Sequence, residues 1–356
     1  MATLEQIALR AGVSSVTVAN VLSGRTKGSY PSALARAQRI RAIAEELNYQ
    51  PSAAARVMRS RQTMQIGAVY LNAPDRTSAA PHNHYLIAGV NAGLEQAGYV
   101  LCVVRATDVT APAEALESRV FREKILDGVV VLNAISPDVE RRIEQLVPAV
   151  VWADTNHFHT HNCVRRDEFD AGSTAAEALI HGGARRIFWV GPAPVLTAEG
   201  DHYSFTHRRE GAKRAVEAAG MQWNEIRTEP HWTPDGHRAL KPLLSPAHPA
   251  DRVGLITYDG IYRVAQVVHV AMLERRKVGV DFSLVACDDT PMTIDHFPQL
   301  TRVEFDRFAL GKRTASMMLR RLEGNDGSCP SELHRDRLVA GTTATLLPPG
   351  DPGPTY

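Results

Sequence analysis

The sequence predicts a small all-α head followed by an α/β body built from two doubly wound parallel-sheet lobes. Residues 3–50 carry helical periodicity interrupted by a glycine turn, and apolar β-branched runs alternate with helical patterns from Gln65 onward. The chain has 356 residues, which is enough for two or three domains. Its 44% hydrophobic and 22% charged residues are typical of a globular protein, not of a disordered one.

Charge is concentrated at one end of the chain. Residues 1–62 carry nine basic and three acidic residues, a net charge of +6, whereas the whole chain has +1 and the remainder therefore −5. A basic module on a mildly acidic body is typical of nucleic-acid binding, although a charged surface without a partner gives the same pattern. The nearly neutral total excludes a uniformly basic protein that coats chromatin.

The four cysteines and the hydropathy pattern bear on the compartment. The cysteines lie far apart without CxxC spacing, which argues against a disulfide framework or a zinc ribbon and fits a reducing compartment. No apolar run approaches the ~18 residues of a membrane span. The N-terminus, MATLEQIALR, lacks the apolar core of a signal peptide. We therefore expect a cytoplasmic protein without a membrane segment.

The head has the pattern of a helix-turn-helix. Thr3 is placed to cap a first helix, Gly12 allows the tight turn, Ser14 is placed to cap a second helix, and a third helix follows Pro31. The inner face of the second helix is apolar. Its other stripe consists of short side chains that can approach base edges, namely Ser15, Val16, Ala19 and Asn20.

The sequence of this head resembles the LacI/GalR family of lactose-repressor-type transcription regulators. The resemblance is carried by TLEQIALRAGVSSVTVANVLSG (3–24) and by ELNYQPSAAA (46–55). The resemblance implies sequence-specific binding to double-stranded operator DNA. It places Ser15, Val16 and Asn20 where the family reads bases in the major groove, and Ser14 and Thr17 where it contacts phosphates. An Asn side chain suits an adenine edge, and a Val side chain suits a thymine methyl group.

The segment SAAARVMRS after Pro51 is similar to the family's hinge helix, which folds on operator DNA and wedges the minor groove. The resemblance puts Met58 at the wedge, Ala55 over the groove floor and Arg59 near phosphates. The alternative is a flexible linker, and without DNA we expect that alternative because so short a helix is marginal alone. Two departures, the long Gly24–Pro31 loop and the Arg36-Ala37 pair, put phosphate contacts there in doubt.

The body carries eight apolar strand candidates with helical patterns between them, which predicts parallel sheets covered on both faces and ligands at the carboxyl ends of strands. The candidates are residues 65–71, 99–104, 127–133, 149–154, 185–191, 253–259, 282–289 and 300–305.

The stretches DEFDAGSTAAEALIHGGARRIFWVGP (167–192), HRREGAKRAVEAAG (207–220) and VGVDFSLVACDDTP (278–291) resemble the family's periplasmic-binding-protein-like core. The implied domains are a head at 1–50, a hinge and linker at 51–62, a core at 63–346 and a flexible tail at 347–356. Within the core we expect lobe 1 at 63–158 and 291–323, and lobe 2 at 163–290 and 328–346. The chain would cross between them near 155–163, 290–292 and 323–330.

The resemblance also implies an effector cleft between the lobes, lined by Tyr85, Asp154, Arg208, Trp232, Tyr258 and Asp288. An arginine fork can grip two hydroxyls or a carboxylate, and an aspartate accepts from vicinal hydroxyls. Each residue has a structural alternative as a cap, a core residue or a surface ion pair. No cofactor is expected. A carbohydrate effector is favoured and a nucleoside or another small metabolite stays open, because Tyr258 stands where many relatives carry Asn.

A histidine tract offers a rival chemistry. His157, His159 and His161 would face one side of a strand and could bind zinc or copper, so the alternative function is a metal-binding or hydrolytic enzyme. The sequence lacks HExxH, GxSxG and a Gly-rich phosphate loop with Lys, so we expect no enzymatic activity and no metal. A third alternative is a solute-binding protein, which would share the core fold. Such a protein would carry an export signal and would lack the DNA-binding head.

The family binds pseudo-palindromes as dimers, and the tail LLPPGDPGPTY carries no leucine heptads, so a homodimer is expected. The implied protein is a nucleoid-associated bacterial regulator, more often a repressor than an activator. Effector in the cleft would change the lobe angle and order or melt the hinge helices, with a coupling of ~1–3 kcal/mol. The sequence specifies neither the operator nor the direction of the switch.

Overall fold

A computed structural model of the chain describes two compact units, Met1–Thr63 and Met64–Tyr356. The described residues are 2–24, 30–50, 57–58, 62–71, 79–106, 119–132, 137–192, 202–229, 232–244, 252–288, 296–324 and 328–345. None of the helices within these ranges is both long and apolar enough to cross a membrane.

The first unit is a three-helix head with α1 (Leu4–Ala11), α2 (Ser15–Leu22) and α3 (Pro31–Glu46). Thr3 and Gln6 form a capping box at the start of α1, and Ser14 Oγ accepts a hydrogen bond from the Thr17 amide at the start of α2. Gly12 takes the left-handed conformation, with φ of 67°, that the turn between α1 and α2 requires. The predicted helix order of the head is therefore present.

Small and branched apolar side chains fill the centre of the head. Its buried residues are Ile7, Ala8, Ala11, Val18, Val21, Ala37, Ile40 and Ala44. The alanines let the helices approach closely, and the isoleucines and valines supply most of the apolar area removed from water. The stripe of α2 that faces away from this core is consequently left for contact with solvent or a partner.

The first lobe of the body contains a six-stranded, all-parallel sheet in the order β11-β5-β4-β3-β1-β2. Its strands are β1 (Gln65–Leu71), β2 (Val100–Ala106), β3 (Gly128–Leu132), β4 (Val150–Ala153), β5 (Cys163–Arg166) and β11 (Glu332–His334). Its helices are α4 (Ala79–Glu95), α5 (Arg119–Arg122), α6 (Pro137–Leu146) and α11 (Arg307–Glu323). Two apolar clusters, one on each face of the sheet, bury the strands.

The second lobe repeats the arrangement in the order β12-β10-β9-β8-β6-β7, with only the β10–β12 pair antiparallel. Its strands are β6 (Arg186–Pro192), β7 (Trp223–Thr228), β8 (Val253–Thr257), β9 (Ser283–Ala286), β10 (Thr301–Glu304) and β12 (Arg337–Val339). Its helices are α7 (Glu168–His181), α8 (Ser204–Ala218), α9 (Pro234–Leu244) and α10 (Tyr262–Leu273). When the strands of each lobe are counted in chain order, both sheets have the doubly wound order 2-1-3-4-5. In sheets of this kind, ligands bind at the carboxyl ends of the strands.

The chain crosses between the lobes later than the sequence predicts. The crossings lie between β5 and α7, between β10 and α11, and between β11 and β12. The expected boundaries at 158–163, 290–291 and 323–328 are therefore wrong. The physical reason is backbone pairing: β5 and β11 extend the first sheet, and β10 pairs with β9 and buries Val303 in the second lobe before the chain leaves it. The predicted tail at 347–356 lies outside the described residues.

Glycine pairs let helices touch backbone to backbone in each lobe. A Cβ on Gly172 of α7 would lie 1.9 Å from the Arg208 carbonyl oxygen of α8, and one on Gly211 would lie 2.0 Å from the Phe169 carbonyl oxygen. In the first lobe, Gly89 of α4 and Gly311 of α11 make the same kind of approach. Any side chain at these positions would force the paired helices apart.

We expect Gly211→Ala to destabilise the body by about 1–3 kcal/mol, because the added methyl group meets rigid backbone at a packed helix crossing. Gly236→Ala is the matched control, since its Cβ meets no neighbour closer than the Thr233 hydroxyl at 3.2 Å. Urea unfolding followed by tryptophan fluorescence measures both variants. Equal stability of the two variants would contradict the close approach of α7 and α8.

Candidate functional site

The outer stripe of α2 presents the base-reading residues that the resemblance implies. Val16 is 66% exposed, Asn20 is exposed, and Ser15 is partly exposed on the same helix. The Ser14 and Thr17 hydroxyls lie 2.9 Å apart and hydrogen-bond to each other at the start of the helix. A helix N-terminus with exposed hydroxyls is suited to a phosphate, and small side chains further along are suited to base edges.

Three arginines of α3 add positive charge to the surface of the head. Arg36, Arg39 and Arg41 are exposed, and Arg39 donates to the Arg10 carbonyl oxygen at 3.4 Å. Met58 is helical and 86% exposed, whereas Ala55 and Arg59 lie outside the described residues. The hinge assignments of these three residues therefore stay predictions.

In the body, charged side chains meet where β4, β5, β8 and β9 end at their carboxyl termini. We call this group the interlobe ion cluster; it contains three arginines and three carboxylates, so its formal charges balance. The members are Asp154, Arg166, Glu168, Arg208, Asp288 and Arg307. Each residue is nearly withdrawn from solvent, with exposed side-chain fractions between 0% and 15%.

Arg208 of α8 lies at the centre of the cluster. Its guanidinium makes a two-point ion pair with Glu168, with Nη2 2.8 Å from Oε1 and Nε in contact with Oε2. The same group donates to the Tyr258 carbonyl oxygen at 2.8 Å and to Asp288 Oδ2 at 3.2 Å. Arg208 thus holds together the start of α7 and the ends of β8 and β9.

Two further arginines complete the cluster from the first-lobe side. Arg166, the last residue of β5, places Nη1 2.9 Å from Glu168 Oε1 and Nη2 3.0 Å from Asp154 Oδ2. Arg307, the first residue of α11, contacts Asp288. Charged groups from both lobes therefore neutralise each other in one buried site.

Asp154 follows β4 and joins the cluster to the N-terminus of α8. It accepts hydrogen bonds from Arg166 and from the Tyr203 hydroxyl at 2.6 Å, and its carbonyl oxygen lies 2.9 Å from His202 Nε2. Burial opposes ionisation of this carboxyl, but the Arg166 guanidinium, the neighbouring His202 and the hydrogen bonds from Arg166 and Tyr203 together outweigh burial and hold the pKa of Asp154 well below its usual range. Asp154 is consequently ionised at physiological pH.

Tyr258, just after β8, gives the cluster an aromatic wall. Its hydroxyl lies 2.7 Å from Ser204 Oγ, and its ring centroid is 4.4 Å from that of Phe205 and 4.9 Å from the Arg208 guanidinium carbon. Burial raises the pKa of Tyr258 to about 12, so the hydroxyl stays protonated and can both donate and accept. The site therefore offers ionic, hydroxyl and aromatic contacts together.

Two family models match this chain. The model described as bacterial regulatory proteins of the lacI family covers residues 3–52, and the periplasmic binding protein-like domain covers residues 176–344. The chain belongs to the LacI family.

Curated LacI-family relatives align along most of the chain. The ribose operon repressor of Bacillus subtilis is 29% identical over 320 residues, covering 90% of this chain and 91% of the relative. The transcriptional repressor PurR of Haemophilus influenzae is 26% identical over 345 residues, covering 92% of this chain and 93% of the relative.

Solved structures of transcription regulators show the same fold. The lac repressor dimer bound to operator and the anti-inducer ONPF superposes with a TM-score of 0.70 at 20% identity, covering 97% of this chain and 99% of that one. The regulator CelR in complex with cellobiose superposes with a TM-score of 0.59 at 21% identity, covering 96% and 100%.

The structure brings four of the six expected effector residues of this LacI-family chain into one site, namely Asp154, Arg208, Tyr258 and Asp288. Trp232 lies before α9, is 48% exposed, and packs near His237 and His269. Tyr85 lies on α4, is 40% exposed, and its ring meets that of His84 edge to face. Neither Trp232 nor Tyr85 is a member of the interlobe ion cluster. Arg208 is buried in ion pairs with Glu168 and Asp288, so the alternative of a surface ion pair is wrong for this residue.

Sequence reasoning missed the partners that neutralise the expected residues. Arg166, Glu168 and Arg307 each lie at the start or end of an element that faces the cluster. The signal was a charged residue directly after an apolar strand or at the first turn of the following helix, as in VRRDEF (164–169) and VEFDRF (303–308).

A pair of carboxyls lies beside two of the crossings. Asp336, between β11 and β12, hydrogen-bonds with Asp170 in the first turn of α7. Burial, and then the neighbouring charge of Asp170, raises the pKa of Asp336 to about 7. The folded protein thus holds a proton here more tightly than the unfolded chain, so stability falls as pH rises from about 4 to about 7.

We expect Asp336→Asn to raise the melting temperature more at pH 8 than at pH 4, since the amide removes a buried charge that forms only at the higher pH. Melting curves at the two pH values measure the difference. Asp235→Asn, at an exposed helical carboxylate, is the control. An identical shift at both pH values would contradict the buried carboxyl pair.

Proposed function

We propose that this LacI-family chain is a transcriptional repressor that binds a pseudo-palindromic operator as a homodimer and responds to a small molecule at the interlobe ion cluster. The observation that carries the DNA-binding half is the outer stripe of α2, where Val16 and Asn20 are exposed beside the Ser14–Thr17 hydroxyl pair. The net charge of +6 on residues 1–62 supplies attraction to phosphates.

A dimer is the assembly that matches such an operator. Two heads related by a twofold axis read two half-sites, so a palindrome mirrors the symmetry of the protein. The lac repressor dimer bound to operator, which shares this fold, supports the arrangement. The expected contacts of Ala55, Met58 and Arg59 with the minor groove belong to this proposal and await a structure with DNA.

The effector is proposed to be a carbohydrate. The names of a ribose operon repressor among the relatives and of a cellobiose complex among the solved structures support this class. The chemistry of the site agrees, because Asp154 and Asp288 accept from hydroxyls, Arg208 donates in a fork, and Tyr258 offers an aromatic face. The PurR relatives make a purine the competing class.

Binding would exchange contacts that already exist in the cluster. The 3.2 Å contact of Arg208 with Asp288 is longer than its 2.8 Å contact with Glu168, so it is the contact that vicinal hydroxyls can replace at least cost. Because Arg307 holds Asp288 from the first-lobe side, replacing that contact changes forces between the lobes. A differential affinity for two lobe angles would then couple effector to operator affinity by about 1–3 kcal/mol.

The deciding experiment is a selection of genomic fragments by purified full-length protein at near-physiological salt, where non-specific phosphate binding is weakened. Recovery of one palindrome near a few promoters supports the regulator, and recovery of unrelated fragments with equal affinity contradicts it. Sugars, purine bases and nucleosides are then titrated against the bound palindrome. Tyr258→Phe, which removes one hydroxyl without changing charge, is expected to weaken the response to the active compound and to leave operator affinity unchanged.

A further inference from the structure

We propose that Glu140, His157 and His159 form a binding site for a divalent first-row transition ion of the zinc class, outside the interlobe ion cluster. One ligand atom from each of the three side chains lies within 4.8 Å of the other two. Glu140 comes from α6, whereas both histidines come from the β4–β5 connection. The site thus unites two segments that the sequence alone did not connect.

One pair of ligand atoms already has the spacing of the ligand shell of such an ion. At metal–ligand distances of about 2.0–2.1 Å, two ligands at neighbouring corners of a tetrahedron are about 3.4 Å apart. The distance from His159 Nε2 to Glu140 Oε1 is 3.6 Å and fits this value, whereas His157 Nδ1 contacts the same carboxylate oxygen directly, so an ion would separate these two atoms on binding. Two imidazoles and one carboxylate suit an ion that is intermediate between hard and soft, such as Zn²⁺, and leave a fourth coordination position for solvent.

The surroundings favour a ligand over a simple ion pair. The Glu140 and His157 side chains are only 12% and 16% exposed, and the two imidazole centroids lie 3.2 Å apart. His157 Nε2 is a buried nitrogen that has no hydrogen-bond partner among the described residues.

This set differs from the tract that the sequence suggested. His161 Nδ1 lies 3.0 Å from Thr160 Oγ1 and is not in the cluster, so Glu140 takes the place that the i, i+2, i+4 spacing gave to His161. The connection turns at Asp154 and Asn162, which both have positive φ, and is not a continuous strand. A bound ion would fasten this connection to α6, a short distance along the chain from Asp154 of the interlobe ion cluster.

The test uses full-length protein without an affinity tag, freed of metal by chelation and titrated with Zn²⁺ in a calorimeter. We expect one equivalent to bind, and His159→Gln and Glu140→Gln each to weaken binding by at least about tenfold. His161→Gln is the matched control and should bind as the wild type does. Because the His159 side chain is 58% exposed, its replacement leaves the fold intact.

X-ray absorption of the zinc-loaded protein identifies the ligands directly. Nitrogen and oxygen neighbours at about 2.0–2.2 Å support the proposal, whereas a sulfur neighbour at about 2.3 Å would assign the ion to Cys163 instead and overturn it. Absence of stoichiometric binding, or equal affinity in wild type, His159→Gln and Glu140→Gln, would also overturn it. Mg²⁺, a hard ion that prefers oxygen ligands, should not compete.

Discussion

Arg208→Ala is expected to destabilise the body by about 3–5 kcal/mol, because it leaves the Glu168 and Asp288 carboxylates buried with one fewer cation between them. All four tryptophans lie after residue 63, so urea unfolding followed by their fluorescence reports on the body. The head forms a separate compact unit and should keep its helices. Arg208 is therefore first a structural residue of the cluster, and a lost effector response in this variant would not by itself show contact with effector.

Two further variants separate charge balance from packing. Arg209→Ala removes the neighbouring arginine, whose partner Glu225 lies near the surface, and should cost no more than about 1 kcal/mol. The double variant Glu168→Gln with Arg208→Met keeps the volume and removes one charge of each sign, so it should recover part of the lost stability. A loss from Arg208→Ala no larger than that from Arg209→Ala would mean that the cluster contributes little to the fold.

Asn20→Ala is expected to reduce discrimination at one base pair of each operator half-site by about 1–3 kcal/mol, because we propose that this exposed amide of α2 pairs with a base edge. The measurement is competition between the selected palindrome and its single-base variants, with wild type and variant compared at one salt concentration. Binding to unrelated DNA should change little, since that binding depends on phosphate contacts.

Gln38→Ala is the control for this experiment. Gln38 is also an exposed amide on a head helix, but it lies on α3 and not on the outer stripe of α2. Its replacement should leave base preference unchanged. If both variants relaxed the same position, or if neither did, the assignment of Asn20 to base reading would be wrong.

Strong local patterns made much of the fold predictable. Runs such as GVVVL in β3 and VGLIT in β8 are buried along their whole length, and each predicted strand has a counterpart in a sheet. The missed strands lack this pattern. β5 (Cys163–Arg166) ends in two arginines, β7 (Trp223–Thr228) is only partly buried over most of its length, and β11 and β12 are three residues long, so only tertiary pairing makes them strands.

The candidate site was predictable residue by residue but not as an arrangement. The family pattern placed Asp154, Arg208 and Asp288 near a cleft, yet it did not reveal that Glu168 and Arg307 would satisfy them. Ion pairing joins groups that are far apart in sequence, as Glu168 and Arg208 are 40 residues apart. Glu140 was missed for the same reason, since no local spacing connects α6 with the β4–β5 connection.

The backbone contacts at Gly172 and Gly211 have a consequence for how a signal can travel. Because α7 and α8 touch through main-chain atoms at these glycines, side-chain rotamer changes there cannot let one helix slide over the other. The two helices should move as one rigid body, with the hinge at the first crossing, between Arg166 and Glu168. A ligand then has to move both helices together or neither of them. Such coupling favours two discrete positions of the helix pair over a graded response.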